Sequence, residues 1–211
     1  MNAIPDTEFV SKSTLKSRGW TDKSIESFLT KPDKTANNPY YKSASPMKLY
    51  LTSRVLVAEQ SRAYIAFQNV SNKRKASSLK ATQTKKNQLL QRIKGCKIEL
   101  EQKSPTEVKQ DAIVSYNDFK EQMCWEREHE YTPATENSDD EFLNRITVNY
   151  LRHNLSNYDD QLAAIFGRVG VGDAYAILNE KIYAKIAETY PHLREETEKQ
   201  LKRKLPKNDA A

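Results

Sequence analysis

Residues 47–98 read MKLYLTSRVLVAEQSRAYIAFQNVSNKRKASSLKATQTKKNQLLQRIKGCKI, a run without proline and rich in Lys, Gln, Leu and Ala. Ala and unbranched side chains lose little freedom in a helix, so the stretch reads as helical. Ser45-Pro46 just before it supplies an N-cap residue followed by proline at the first helical position, which places the expected helix start at Met47. Met47, Leu51, Val55, Leu56, Ala63 and Phe67 fall along one side of such a helix. The simplest reading is one long helix, or two with a break near 70–72 or 76–78. The next proline is Pro105.

The same stretch carries an unusual charge. The chain has a net charge of +6, but residues 1–98 hold nineteen Lys or Arg against six acids, whereas residues 99–211 hold fifteen against twenty-two. Between Gln60 and Ile98 there are ten basic residues and no acid. A solvated helix ordinarily mixes Glu with Lys, because opposite charges four residues apart stabilise it and like charges repel. Such a run without a carboxylate points to a polyanionic partner. The competing reading is a positive helix face that meets the acidic C-terminal half of another copy.

Outward from this stretch the chain reads as mainly all-α. Five glycines and eight prolines are too few for a turn-rich β-sandwich. Upstream, a short helix begins near Ser13 or Thr14 and stops at Gly19, and Thr21 caps a second one that Pro32 closes. Residues 31–45 read as a loop. Downstream, residues 106–131 form a helix with Val108, Ile113, Tyr116, Phe119, Met123 and Trp125 as its apolar candidates. Pro133 to Asp140 is an exposed linker, and Ser138 with Glu141 reads as a capping box for the helix after it. Residues 157–166 and 173–190 give two more helices, the last being the most periodic. The tail after Pro191 is charged and is expected to fray at its end.

Asn38-Pro39-Tyr40-Tyr41, followed after a short spacer by Met47-Lys48-Leu49-Tyr50-Leu51, resembles the C-terminal DNA-binding part of the xeroderma pigmentosum group A damage-recognition family. That family belongs to a superfamily that also includes MerR-type winged helices. The resemblance covers about residues 12–60 and implies a small helical, winged-helix-like module followed by an extended basic helix that binds DNA, chiefly its backbone. It makes Lys48 a candidate contact and assigns Met47, Leu49 and Leu51 to packing. The four-cysteine zinc subdomain of that family has no counterpart among the two cysteines here.

The expected organisation is thus a DNA-binding module over 1–60, a long basic helix over 61–105, a helix and linker over 106–135 and a C-terminal helical domain over 136–211. The expected nucleic-acid contacts are Lys12, Lys16, Arg18, Lys42, Lys48, Arg54, Lys73, Arg74, Lys75, Lys80, Lys85 and Lys86. Trp20 and the Tyr40-Tyr41 pair would stack on bases in the sharper reading, and Trp20 belongs to the core in the plainer one. Gly167, Gly170 and Gly172 in GRVGVG imitate a phosphate loop, but no Gly-Lys-Ser/Thr follows, so they read as a helix connector. His129 and His153 lie among acids without the spacing of a metal site, and Cys96 and Cys124 form no CxxC pair. No cofactor, metal or catalytic group is therefore expected.

The resulting expectation is a non-enzymatic protein of the cytoplasm, associated with the nucleoid if it binds DNA. Its ligand would be DNA, with RNA as the alternative, and it would not engage a membrane. Residues 136–211 would serve self-association or a protein partner. The alternative function is a helical adaptor that self-associates through its basic and acidic halves.

Overall fold

The computed structural model describes residues 8–37, 45–127 and 130–204. The chain is mainly α-helical, with one small sheet. It divides into two compact units, Met1–Lys80 and Ala81–Ala211.

In the first unit, β1 (Phe9–Ser11), β2 (Lys34–Ala36) and β3 (Met47–Leu51) form an antiparallel sheet in the order β1-β3-β2. Val10 faces Tyr50 across one ladder and Thr35 faces Lys48 across the other. Ser11 caps α1 (Lys12–Ser17), its hydroxyl accepting from the Thr14 amide. Gly19 takes a positive φ of 92° in the turn that follows, and Thr21 caps α2 (Asp22–Ser24), which continues as a π-helical turn over Ile25–Leu29. These elements, with α3 (Thr52–Gln60) and the start of α4 (Arg62–Gly95), bury Val10, Leu15, Trp20, Ile25, Leu29, Tyr50, Val55 and Tyr64 together.

Three expectations for this region are corrected. The segment Met47–Leu51 is the central strand of the sheet and not the start of a helix. Leu49-Tyr50-Leu51 pairs with β1, Met47-Lys48-Leu49 pairs with β2, and Tyr50 enters the core, and that tertiary gain overrides the local helical signals of Pro46, Met47 and Lys48. The helical stretch behind it breaks at Ser61 and not near residues 70–78. Ser61 is extended (φ −68°, ψ 140°), and its hydroxyl accepts from the Tyr64 amide while donating to the Ala58 carbonyl. One serine thus ends α3 and caps α4. The loop expected over 31–45 contains β2, while the Asn38 to Tyr41 motif and Lys42 lie outside the described residues.

In the second unit the end of α4 joins α5 (Pro105–Arg127), α6 (Asp140–His153), α7 (Tyr158–Ile165), α8 (Val171–Thr189), a 3-10 turn (Pro191–Leu193) and α9 (Arg194–Lys204). Leu89 and Ile93 of α4 bury against Val148, Leu151, Tyr158, Ile165, Leu178, Ile182 and Ile186. A second cluster, Ala112, Ile113, Ala134, Leu143 and Ile146, closes α5 onto α6. The α4–α5 connector is pinned by the Glu101 amide donating to the Leu155 carbonyl at 2.8 Å and by the Tyr190 hydroxyl, which bonds both the amide and the carbonyl of Lys103.

Here too the sequence needs correction. The cap of α6 is Asp139, whose carboxylate accepts from the Phe142 amide, while Ser138 folds back onto Thr135. Phe119 and Trp125 of α5 are exposed, Trp125 by 88%, so the buried side of that helix is carried by Val108, Ala112 and Ile113. The charged tail contains a full helix, α9, held by buried Glu196, Thr197 and Gln200.

Candidate nucleic-acid interface

The expected contact residues fall into three environments. In the first unit four of the cations are already engaged. Lys12 and Lys16 both reach Asp22, at 2.7 and 2.9 Å. Asp22 is held below the usual carboxylate range by these two lysines, and the Asp22 bond raises Lys12. Arg18 makes a fork to Glu59, at 3.2 and 2.5 Å, and the Trp20 indole donates to the same carboxylate at 2.8 Å. Arg54 pairs with Asp33 at 2.7 Å and bonds the carbonyls of Leu29 and Lys31. It thereby clasps the turn in which Thr30 adopts a positive φ of 51°. Asp33 also accepts from the Leu51 amide, which lowers its pKa most, with Arg54 adding to the effect.

These pairs differ in how readily they would release a cation. Lys12 and Lys16 are about half exposed, and surface pairs of that kind are worth little, so a phosphate can compete for them. Arg18 is 25% exposed and tied to the core through Trp20 and Glu59, which makes it a structural brace. Trp20 itself is 2% exposed and stacks obliquely on Tyr64 at 4.3 Å. It is a core residue, as the plainer reading had it. Lys12 and Lys48 are brought together on the walls of a shallow cleft of about 270 Å³ that also includes Ser11, Ser13 and Met47.

The second environment is the middle of α4. Every residue from Asn72 to Lys85 is exposed, so about four helical turns bury no face. A helix gains most of its stability from packing one side, and like charges along it repel. Lys73, Arg74 and Lys75 follow one another around the helix without an ion-pair partner among the described residues, and Lys80 lies seven residues beyond Lys73 on the same side. Lys73, Arg74 and Lys75 thus form a run of three adjacent cations on a part of the helix that buries no face.

The third environment is the end of α4 in the second unit. Lys86 pairs with Asp173 at 2.5 Å, so this expected contact serves to attach α4 to α8. Lys85 has no ion pair among the described residues and lines a cleft of about 490 Å³ with Leu89, Arg92, Gly167, Arg168 and Val169. Arg168 was not among the expected contacts. GRVGVG offered the only sequence signal for it, and the segment does connect α7 to α8, with Gly167 and Gly170 at positive φ.

Arg152, His153, Tyr158, Asp159 and Tyr183 make a partly buried polar cluster in the second unit. Arg152 is 7% exposed between the rings of Tyr158 and Tyr183 and bonds the Tyr183 hydroxyl. Its guanidinium also donates to His153 Nε2, while His153 Nδ1 lies 2.9 Å from Asp159. Burial and then the neighbouring Arg152 lower the His153 pKa, with Asp159 opposing them. This arrangement holds a neutral imidazole with its proton on Nδ1 and braces α6 against α7. His129 lies outside the described residues. Among the described residues no group of three or more His, Cys, Asp or Glu is placed to hold a metal, and no helix is long and apolar enough to cross a membrane. No protein-family profile, no curated protein and no solved structure matches the chain.

Proposed function

We propose that the chain is a non-enzymatic nucleic-acid-binding protein that grips the phosphate backbone, DNA being its leading ligand, through the N-terminal module and the exposed part of α4. The observation that carries this reading is the segment Asn72 to Lys85: a helix exposed on every side, rich in cations and devoid of acids. Lys73, Arg74 and Lys75 lie next to one another with no ion pair among the described residues, and phosphates supply countercharge from solution. Lys12 and Lys48, sharing one cleft in the sheet module, add a second point of contact. The resemblance of Asn38 to Tyr41 and Met47 to Leu51 to the xeroderma pigmentosum group A family supports the same ligand class. The C-terminal helices serve as an interaction region, and the cytoplasm is the expected setting.

The test is fluorescence anisotropy of labelled single-stranded DNA, duplex DNA and RNA titrated with the protein at two salt concentrations. With about six phosphate contacts, affinity falls by roughly 10³ between 50 and 200 mM salt. Salt-sensitive self-association with no binding to any of the three oligonucleotides would instead favour a helical adaptor whose basic and acidic halves meet.

A further inference from the structure

The α7–α8 connector exposes an aromatic residue, Phe166, and the three residues that follow it, Gly167, Arg168 and Val169, line a cationic cleft. Ile165 on one side and Ala174 on the other are fully buried, so both ends of the connector are anchored. Between them the backbone is folded by hydrogen bonds from the amides of Phe166, Arg168 and Val171 to the carbonyls of Ala163, Ile165 and Arg168 respectively. Gly170 is required at its place: its φ is 88°, and a Cβ there would meet the Lys86 Cγ at 2.8 Å. The Lys86–Asp173 pair closes the same contact from outside. The loop is therefore held in shape, and it still leaves Phe166 85% exposed with Val169 and Val171 beside it.

In the cleft that begins one residue after Phe166, the cations are Lys85, Arg92 and Arg168, and the buried Leu89 also lines it. No carboxylate lines it, and none of the three cations forms an ion pair among the described residues. At about 490 Å³ the space is that of a small-ligand cleft. An exposed planar side chain one residue from a cleft with three cations is a combination of groups that can hold an unstacked base and its flanking phosphates. A duplex keeps its base faces covered and offers nothing to the ring.

Building on the nucleic-acid reading above, we infer that this cleft is a binding site for single-stranded nucleic acid, in which Phe166 stacks on a base and Lys85, Arg92 and Arg168 hold the adjoining phosphates. The alternative occupant, an anionic membrane surface, would use the apolar tip and the cations but would have no use for a concave wall.

The experiment measures binding of labelled dT15, rU15 and a 15-base-pair duplex to the full chain, to Phe166→Ala and to the double variant Arg92→Glu/Arg168→Glu, with co-sedimentation on vesicles containing phosphatidylserine as a further arm. Thermal melts confirm that each variant is folded, which the exposure of all three side chains favours. Phe166→Ala is expected to weaken dT15 or rU15 binding roughly tenfold while duplex affinity stays within about twofold. The double variant is expected to weaken single-strand binding at least as much. Unchanged single-strand affinity in both variants overturns the inference, and it leaves the nucleic-acid reading standing if the wild-type chain binds and Lys73→Glu/Arg74→Glu/Lys75→Glu does not. Vesicle binding lost in Phe166→Ala, without such an effect on dT15 or rU15, assigns the loop to a membrane and also overturns it. Absence of all oligonucleotide binding by the wild-type chain defeats the inference and the reading together.

Discussion

At the scale of single residues, the first unit depends on cations that the charge count had made available for ligands. Glu59 is the clearest case, since one carboxylate satisfies both the Arg18 fork and the Trp20 indole. Glu59→Ala leaves a mostly buried N–H and a half-buried guanidinium without their acceptor, and it should cost about 1–3 kcal/mol in urea unfolding. A loss near zero would show that the brace is dispensable. His153 supplies a pH dependence of opposite origin to a salt bridge. Its folded pKa lies below the ordinary 6.5, so just below that pH the unfolded chain binds more protons than the folded one. Stability is then complete above that range and declines as pH falls through the lowered value. Melting temperatures of wild type and His153→Asn measured from pH 7.5 to 5 should differ in slope, the wild type falling faster, and parallel curves would contradict the assignment. The sequence showed that positive charge was in excess but not which cations were taken. Asp22, Asp33 and Glu59 are distant from or merely near their partners along the chain, and only folding brings Glu59 to Arg18 or Asp33 to Arg54.

At the scale of elements, the helices with a packed side were legible and those set by a single contact were not. The period of Ala174, Leu178, Ile182 and Ile186 defines α8 because the same residues are buried. The strand Met47–Leu51 was hidden because its partners, Phe9–Ser11 and Lys34–Ala36, are themselves only three residues long and carry no pattern of their own. The break at Ser61 turns on one hydroxyl, and α9 is so polar that its buried Glu196, Thr197 and Gln200 read as surface. The exposed middle of α4 was foreseen as basic, but its lack of any buried side is a finding of the structure. That absence of packing gives a prediction for the element itself. Hydrogen exchange in the amides of Asn72 to Lys85 should be faster than in α8 for the free protein, and it should slow when an oligonucleotide is added. Exchange that is already slow, or that ignores the oligonucleotide, would argue against a helix completed by its ligand.

At the scale of the whole molecule, the two units use their charge differently. In the first, Asp22, Asp33 and Glu59 neutralise the cations nearest the core and leave Lys48 and the α4 cluster outward. In the second, Glu141 and Glu195 form surface pairs with Lys199, while no carboxylate lines the cleft of Lys85, Arg92 and Arg168. The asymmetry between the halves of the sequence was therefore a true sign of where charge is left over, although it overstated how many cations are free. The central claim is that the unpacked, acid-free part of α4 is a phosphate-binding surface. The most direct test compares wild type with Lys73→Glu/Arg74→Glu/Lys75→Glu by anisotropy on labelled DNA and RNA at 50 mM salt, with melting curves as a control for folding. The account predicts salt-sensitive binding by the wild type and a loss of at least about a hundredfold in the folded variant, since three neutralised phosphates become three repulsive contacts. Equal affinity in the two proteins, or no binding by either, would contradict it.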